Sequence, residues 1–591
     1  MSFSPNNPLI VQSDRSVLLE VQNDFYEAAR DALSRFAELE KSPEYLHTYR
    51  LTPLSLWNAA AAGLSAGEII NSLEQYAKYD LPGNVRAEII EQVGRYGRIR
   101  LLRQDGDLLL HSADSALIAE ISRHKTIAPF IKAQPDAHTL LADLAHRGRL
   151  KQALVGVGYP AQDEAGYTEG RALEIALRDP ALSGAPFSLR EYQQASVQVF
   201  HAGGAASGGS GVIVLPCGAG KTMVGMGAIA ALQTATLILT PSTVAARQWQ
   251  SELLDKTTLT ADQIGEYSGL EKQIRPITIA TYQIISYRQR KGGGFPHFAL
   301  FDREEWGLII YDEVHLLPAP VFRITAELQA RRRLGLTATL VREDGHEKDV
   351  FSLIGPKKFD VPWKVLEQQG WIATAECHEI RLHLPDEQRM EYALTEDAEK
   401  YRFAAQNPVK LRVLEQILAK HKRDNVLVIG QYLDQLHEIA ERLHAPIITG
   451  ETKVPERQRL FEAFRHGEIS VLVISKVGNF AVDLPDANVL IQVSGTFGSR
   501  QEEAQRLGRI LRPKRNGLLA HFYTLVTRET RDQDFAANRQ LFLTEQGYHY
   551  DILYEPEVAA FQPATLAGEA RPARANHPQL PAPSAPAAHT D

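Results

Sequence analysis

The chain has 591 residues, of which 44% are hydrophobic and 23% are charged, and its net charge is −8. This length exceeds what one hydrophobic core supports, and the negative charge excludes a protein that binds nucleic acid by bulk attraction, although not one with a local basic groove. Only two cysteines are present, Cys217 and Cys377, so we expect neither a disulfide framework nor a zinc cluster, in keeping with a reducing compartment.

The first region, residues 1–131, is predicted to be mainly helical and winged-helix-like. Thr52 before Pro53 supplies an N-cap and a first-turn proline, and Ser65 with Glu68 forms a capping box for the next helix. The turn pair Asp105-Gly106 between two apolar runs predicts a closing hairpin. Residues 132–186, punctuated by glycine and proline, are expected to form a connector or a small domain.

From residue 211 onward, short apolar strands alternate with helices, a pattern that predicts parallel sheets covered on both faces. The pattern pauses near residue 385 and then resumes, which indicates two consecutive α/β units. The predicted strands are 211–215, 236–240, 277–281, 307–311, 426–429, 471–475 and 489–493. The expected domains are 187–385 and 409–556, separated by a short connector at 386–408 and followed by an Ala/Pro-rich disordered tail at 557–591.

A stretch without charges, residues 222–246, has the length of a membrane span. It contains Gln233 and Pro241 and changes from helix-like to strand-like, so it is interpreted as a buried α/β segment. The N-terminus lacks the charged and apolar regions of a signal peptide. A cytoplasmic protein without membrane contact is therefore expected.

The predicted strand at 211–215 leads into a glycine-containing loop and then a helix, the context of a phosphate-binding loop. Backbone N–H groups and the helix dipole would hold a phosphate, Lys221 would reach the β and γ phosphates, and Thr222 would bind Mg²⁺. Leu215 stands where the general pattern has glycine. The predicted ATP-binding loop is Pro216, Cys217, Gly218, Ala219, Gly220, Lys221 and Thr222.

Two further segments complete a nucleotide-hydrolysis pattern. Asp312 and Glu313 follow an apolar strand, where Asp312 would hold the metal and Glu313 would activate the attacking water. In the second unit, the segment from Gln505 to Arg512 places Arg509 and Arg512 on one helix face, as arginine fingers for the γ-phosphate. The predicted catalytic residues are Glu313, Gln505, Arg509 and Arg512.

Together these motifs resemble those of superfamily 2 helicases, which also depart from glycine at the position of Leu215. The resemblance implies two tandem RecA-like lobes that use ATP and Mg²⁺. It also implies that Arg190 and Gln193 sense the adenine. The residues that would couple the nucleotide site to the nucleic acid are His315, Thr337, Ala338 and Thr339.

Finer features resemble the XPB family of repair- and transcription-linked DNA helicases. Arg342, Glu343 and Asp344 match that family's Arg-Glu-Asp motif, which is associated with strand separation. The segments 353–356, 474–478 and 483–485 also resemble the family, as does the N-terminal region from residue 8 to 97. The resemblance implies 3′→5′ polarity. The implied DNA contacts are Ser242, Arg247, Thr281, Tyr282, Gln431, Gly450, Lys476 and Gly478.

One segment departs from the family pattern. XPB proteins carry a short thumb between the lobes that is often basic, whereas the matching residues 387–407 mix acidic and basic side chains. The main expectation is an ATP-dependent DNA helicase, and this composition favours its alternative, a protein that translocates on duplex DNA and unwinds poorly by itself. An RNA helicase and a nucleotide-gated DNA-binding scaffold also stay open. The expected partners are DNA and a repair nuclease or further repair or transcription proteins.

Overall fold

The computed structural model describes residues 3–43, 45–104, 106–205, 208–290, 295–328, 331–339, 347–475, 487–497, 499–508, 510–511 and 519–564. Four sheets organise this part of the chain: two small sheets near the N-terminus and two seven-stranded parallel sheets. No helix within these residues is long and apolar enough to cross a membrane.

The N-terminal domain contains both of the predicted capped helices. Thr52 caps one of them, and Ser65 and Glu68 form the predicted capping box of the other. The domain also contains a four-stranded antiparallel sheet in the order β1-β2-β4-β3, which the sequence does not predict. Its elements are β1 (Leu9–Val11), β2 (Ser16–Glu20), α1 (Tyr26–Leu33), β3 (Glu38–Lys41), β4 (Leu46–Arg50), α2 (Pro53–Ala61), α3 (Ala66–Tyr76) and α4 (Gly83–Arg95).

The predicted hairpin belongs to a second small domain. Its two strands pair antiparallel, although Asp105 of the turn lies outside the described residues. They join a five-stranded sheet in the order β7-β8-β6-β5-β9, which crosses the domain boundary expected at residue 131. The elements are β5 (Arg100–Gln104), β6 (Asp107–His111), α5 (Ser115–Arg123), β7 (Ile131–Asp136), β8 (Thr139–Ala142), α6 (Arg147–Gly156) and β9 (Gln162–Asp163).

Lobe 1 is a parallel sheet in the order β12-β13-β11-β14-β15-β10-β16. Its central strands are buried throughout, which explains their uninterrupted apolar sequences. The elements are α7 (Glu191–His201), β10 (Ser210–Val214), α8 (Lys221–Leu232), β11 (Thr236–Thr240), α9 (Thr243–Lys256), β12 (Ile264–Tyr267), β13 (Ile277–Thr281), α10 (Tyr282–Ile285), β14 (Leu308–Asp312), α11 (Ala319–Glu327), β15 (Arg332–Thr337), α12 (Glu347–Asp349) and β16 (Lys357–Asp360).

Lobe 2 repeats this architecture in the order β19-β20-β18-β21-β22-β17-β23. Strand β17 precedes the thumb-like helices, so the chain enters lobe 2 before residue 386. Of the predicted disordered tail, residues 565–591 lie outside the described part of the chain. The elements are α13 (Trp363–Gln368), β17 (Ala375–Leu382), α14 (Asp386–Leu394), α15 (Asp397–Ala405), α16 (Val409–Lys420), β18 (Val426–Gly430), α17 (Leu433–Leu443), β19 (Ile447–Ile448), α18 (Val454–Arg465), β20 (Val471–Ser475), β21 (Val489–Gln492), α19 (Arg500–Gly508), β22 (Ala520–Thr527), α20 (Arg531–Glu545), β23 (Tyr550–Tyr554) and α21 (Glu555–Val558).

A buried charge cluster joins the second small domain to lobe 1. The carboxylate of Asp163 lies 2.7 Å from Arg147 Nη2 and 2.9 Å from Lys151 Nζ. The ring centre of Tyr167 lies 5.3 Å from the guanidinium carbon of Arg147 and 5.7 Å from that of Arg333 on β15. Burial opposes the charge of Asp163, but Lys151 and Arg147 outweigh it and lower the pKa of the carboxyl group, which therefore stays ionised.

Candidate nucleotide-hydrolysis site between the lobes

The phosphate-binding loop connects β10 to α8 at the carboxyl edge of the lobe 1 sheet. Gly218 and Gly220 have φ angles of +82° and +80°, a region that side-chain-bearing residues rarely adopt. A Cβ atom at Gly220 would also lie 2.5 Å from Gln193 Nε2. Larger residues would therefore be strained at these two positions of the loop, and α8 begins directly at Lys221.

One of the two residues predicted to sense the adenine, Gln193, is hydrogen-bonded to this loop, and Arg190 is bonded to Gln193. Gln193 Nε2 donates to the carbonyl oxygen of Ala219 at 2.8 Å, and the Tyr192 hydroxyl donates to the same oxygen at 2.7 Å. Gln193 Oε1 accepts from the backbone N–H of Arg190 at 2.9 Å. The Arg190 guanidinium lies 4.5 Å from the ring centre of Trp371, a partly exposed residue that carries no signal in the sequence.

Asp312 lies at the end of β14, at the same sheet edge as the phosphate-binding loop. Its carboxylate accepts hydrogen bonds from Trp249 Nε1 at 2.9 Å and from the backbone N–H of Glu313 at 3.1 Å. Burial and the neighbouring Glu313 raise the pKa of Asp312 to about 6. Two N–H donors thus hold the Asp312 side chain in place. The carboxylates of Asp312 and Glu313 lie close enough to repel each other, so a cation bound there would stabilise both.

Lys221 and Glu313 form an ion pair, with 3.3 Å between Nζ and Oε1. Burial opposes the charge of Glu313, but the attraction of Lys221 outweighs it and lowers the pKa of that carboxyl group. The second oxygen, Glu313 Oε2, is buried and receives no hydrogen bond from any described residue. A water molecule that attacks the γ-phosphate needs an acceptor for its proton, and Glu313 Oε2 can take this role.

His315 connects Glu313 to the segment containing Thr337 and Thr339. The Thr337 hydroxyl donates to the Thr339 carbonyl oxygen at 2.5 Å, so its single proton is used there. Nδ1 of His315, 2.7 Å from Thr337 Oγ1, must then carry the hydrogen and donate it. The backbone N–H of Ala338 helps to lower the pKa of Glu313, after the larger effects of Lys221 and His315. Two of the four predicted coupling residues, His315 and Ala338, therefore adjoin the predicted catalytic base, and His315 connects it to the other two.

Lobe 2 contacts this site through α19. Gln505 Nε2 lies 3.5 Å from Nε2 of His315, the ring nitrogen that acts as the acceptor when Nδ1 carries the hydrogen. A Cβ atom on Gly508 would lie 2.3 Å from the Cβ of Cys217, so the end of α19 rests directly on the phosphate-binding loop. Lobe 2 therefore contacts both His315 and the phosphate-binding loop.

Several predicted site residues lie outside the described part of the chain. These are Arg342, Glu343, Asp344, Lys476, Gly478, Arg509 and Arg512. Gly508, the described neighbour of Arg509, adjoins the phosphate-binding loop.

Three of the residues predicted to contact DNA make local bonds in lobe 1. Ser242 caps α9 by accepting from the N–H of Ala245 at 3.2 Å, and Thr281 caps α10. Tyr282 is buried, and its hydroxyl donates to the carbonyl oxygen of Asp312 at 2.8 Å. The side chain of Tyr282 thus connects the predicted DNA-contact segment to the strand that carries the predicted metal ligand.

The other described residues predicted to contact DNA are more accessible to solvent than Tyr282. Arg247 is largely exposed, with its Nε 3.7 Å from Glu266 Oε2. Gly450 is exposed, and Gln431 is fixed through its backbone N–H, which donates to Ser494 Oγ at 2.8 Å.

The basic residues of the thumb helices are paired with acids. Lys400 Nζ lies 2.8 Å from Asp397, and Arg402 Nη2 lies 2.6 Å from Asp434 on α17. Much of the positive charge of α14 and α15 is thereby neutralised within lobe 2, in agreement with the mixed composition of the segment.

Comparisons with known proteins cover nearly all of the chain. The family model described as ERCC3/RAD25/XPB C-terminal helicase matches residues 366–567, the one described as helicase conserved C-terminal domain matches 9–135, and the one described as type III restriction enzyme, res subunit, matches 186–342.

Relatives of this chain match along nearly their full length. The chain is 55% identical over 549 residues to "DNA 3'-5' helicase XPB" of Kineococcus radiotolerans, covering 93% of this chain and 96% of the relative. It is 54% identical to the protein of the same name from Mycobacterium tuberculosis, covering 93% and 98%. A general transcription and DNA repair factor IIH helicase/translocase subunit XPB of Enterocytozoon bieneusi is 33% identical, with 93% of each chain covered. On this similarity, joined to the two-lobed site, the chain belongs to the XPB family of helicases.

Proposed function

We propose that this protein is an ATP-dependent DNA helicase of 3′→5′ polarity that moves on and opens DNA, in keeping with its similarity to two bacterial relatives named for that activity. The observation that carries the proposal is the contact of Gln505 in lobe 2 with His315 in lobe 1, which itself adjoins Glu313. A motor of two lobes requires such a connection, because closure of the cleft must be linked to hydrolysis.

The ATP-binding and catalytic roles follow from the geometry. The loop from Pro216 to Gly220 would wrap the phosphates, and Lys221 would exchange its contact with Glu313 for the β and γ phosphates. Thr222 and Asp312 would hold Mg²⁺, which neutralises phosphate charge when bound. Release of Lys221 leaves Glu313 able to accept the proton of the attacking water. Arg509 and Arg512 are proposed as the arginine fingers from lobe 2.

Coupling to DNA would pass through two routes in lobe 1. One runs from His315 to Thr337 and Thr339. The second is the bond from the Tyr282 hydroxyl to the Asp312 carbonyl oxygen, which connects the start of α10 to the end of β14. Movement of either segment when DNA binds would shift the carboxylates of the site directly.

The DNA path itself is proposed from motif position. Backbone phosphates would contact segments containing Ser242, Arg247 and Thr281 in lobe 1. The lobe 2 contacts would be Gln431, Gly450, Lys476 and Gly478. The Arg342-Glu343-Asp344 motif is proposed to separate the strands.

Translocation on duplex DNA with weak unwinding is the second candidate. The ion pairs of Lys400 and Arg402 favour it, because a thumb whose cations are neutralised grips phosphate weakly. The factor IIH relative carries both activities in its name, as a helicase/translocase subunit. Partners would be repair or transcription proteins, including a nuclease, acting in the cytoplasm.

Two assays on one protein preparation distinguish the candidates. Displacement of a labelled strand from a duplex with a 3′ overhang measures unwinding, and displacement of a third strand from a triplex measures translocation. A helicase gives both signals, whereas a translocase gives only the second. Glu313→Gln serves as the control that should abolish both.

A further inference from the structure

A cluster of three possible metal ligands lies on the lobe 2 sheet, apart from the nucleotide site. Glu376 and His378 occupy alternate positions on β17, so they share one face of the sheet. His521 on the adjacent strand β22 is the register partner of Glu376. Cys377, between the two β17 residues, faces the opposite core, which it shares with Leu507 of α19. The cluster is therefore on the side of the sheet away from α19.

The spacing of the three side chains suits a single ion. Glu376 Oε2 lies 3.7 Å from His378 Nε2 and 3.7 Å from His521 Nδ1. One ligand atom from each residue lies within 4.8 Å of the others. Ligands bound tetrahedrally to Zn²⁺ at about 2.0–2.1 Å are roughly 3.3 Å apart. Small side-chain rotations would bring the ligand atoms from 3.7 Å apart to this spacing.

The hydrogen bonding of His521 directs a lone pair at Glu376. Its Nε2 lies 2.9 Å from the carbonyl oxygen of Ala564, and because a carbonyl only accepts, Nε2 carries the hydrogen.

In the neutral ring, Nδ1 of His521 is therefore the acceptor. It is buried and has no hydrogen bond among the described residues, yet it faces the carboxylate of Glu376. A cation placed between this nitrogen and the carboxylate would be attracted to both acceptors. The bond from the other ring nitrogen to a backbone carbonyl is the usual outer contact of a metal-bound histidine.

A third histidine, His421, is engaged elsewhere. Its Nδ1 lies 2.8 Å from Asp424 Oδ2, and its Nε2 lies 2.8 Å from the Tyr523 hydroxyl. Its ring packs beside the cluster, with its centre 5.1 Å from that of His521. Because both of its nitrogens have other partners, His421 is not included among the ligands.

We propose that Glu376, His378 and His521 bind one Zn²⁺ ion, which fastens residues 555–564 onto lobe 2. Two imidazoles and one carboxylate favour Zn²⁺ over Mg²⁺, which prefers oxygen ligands. The link to the C-terminal segment rests on two contacts. Ala564 accepts the hydrogen bond from His521, and the Phe561 ring packs edge-on against His378 with 5.0 Å between ring centres.

The test uses the full chain without an affinity tag, stripped with a chelator and then titrated by calorimetry with ZnCl₂ or MgCl₂. One Zn²⁺ per chain and no Mg²⁺ at this site are expected. Replacement by Co²⁺ should give the visible absorption of a low-coordinate ion with nitrogen ligands. Absence of stoichiometric Zn²⁺ binding to the wild-type protein would overturn the proposal without any variant.

Variants assign the site. Glu376→Gln and His521→Gln should each remove the Co²⁺ absorption and weaken Zn²⁺ binding by about tenfold or more, whereas His466→Gln, at an exposed histidine of lobe 2, should change neither. Zn²⁺ should also slow proteolysis after residue 555 in the wild type but not in Glu376→Gln. Unchanged binding in both cluster variants, or its loss in His466→Gln, would overturn the assignment.

Discussion

Gln505 of lobe 2 lies 3.5 Å from His315 of lobe 1, with Nε2 of the amide directed at Nε2 of the ring. The proton on Nδ1 of His315, fixed by Thr337, leaves Nε2 as the acceptor. One hydrogen bond thus links lobe 2 to a histidine that adjoins the predicted catalytic base, Glu313.

This contact predicts a defect in catalysis for Gln505→Ala. Loss of a donor that is positioned only when the cleft closes should lower DNA-stimulated kcat on the order of 10²-fold, with a smaller effect on KM for ATP. Steady-state ATPase assays with saturating DNA measure this. Gln458→Ala, at an exposed glutamine of α18, is the matched control. Equal kcat for the Gln505 variant and the wild type would contradict the role.

Gln193 should support ATP binding through the loop that it holds. Gln193→Ala removes the 2.8 Å bond to the Ala219 carbonyl oxygen, while the Tyr192 bond to the same atom remains. ATP affinity should fall about tenfold, as expected for the loss of roughly 1.5 kcal/mol. Titration with a fluorescent ATP analogue measures it. The neighbouring exposed residue provides the control Gln194→Ala, and equal weakening by both changes would argue against the bond.

The buried cluster around Asp163 should contribute strongly to stability. Asp163→Asn leaves the charges of Arg147 and Lys151 uncompensated at the contact with lobe 1 and should cost about 3–5 kcal/mol of unfolding free energy. Urea denaturation measures the loss. Asp107→Asn, which breaks a surface pair with Lys132, should cost about 1 kcal/mol or less. Similar losses for the two variants would show that the cluster is not a stabilising interface.

Glu545 should make stability depend on pH. It lines a cavity of about 770 Å³ between the N-terminal domain and the two lobes, beside Lys357 and Asp360. Burial raises its pKa to about 7, with Lys357 opposing this and Asp360 adding to it. Because the folded pKa lies above the unfolded value of about 4.3, its stabilising contribution is complete below that unfolded value and is lost as the pH rises through about 7.

The variant Glu545→Gln stays neutral and should therefore lose less stability than the wild type when the pH rises from about 5 to about 8. Thermal unfolding at several pH values measures the difference. Glu468→Gln, at an exposed glutamate, is the control and should follow the wild type. If the stability of the wild type and of Glu545→Gln changed with pH in the same way, the raised pKa of Glu545 would be contradicted.

The sequence predicts those features that are encoded locally. The capping residues Thr52 and Ser65, the strand before the phosphate-binding loop and the strand before Asp312 all carry signals within a few residues, and the structure contains each of them. The short strands β1–β4 carry no comparable signal, so the sequence does not predict their sheet. The predicted boundary at residue 385 places strand β17 in the wrong lobe, because the sequence of a strand does not reveal which sheet it joins.

Side chains that act through tertiary contacts are also not predictable from local patterns. Trp249, Trp371 and Tyr282 reach Asp312 or Arg190 only after the sheet has assembled. The same holds for Glu376 and His521, which are distant in sequence and become register partners on adjacent strands.

The most direct test of a DNA-driven motor is ATP hydrolysis measured with single-stranded DNA, duplex DNA, RNA and no nucleic acid, for the wild type and Glu313→Gln. We expect strong stimulation by DNA, little by RNA, and loss of turnover in the variant with ATP binding retained. Hydrolysis that is indifferent to every nucleic acid, or that persists in Glu313→Gln, would contradict a motor built on this site.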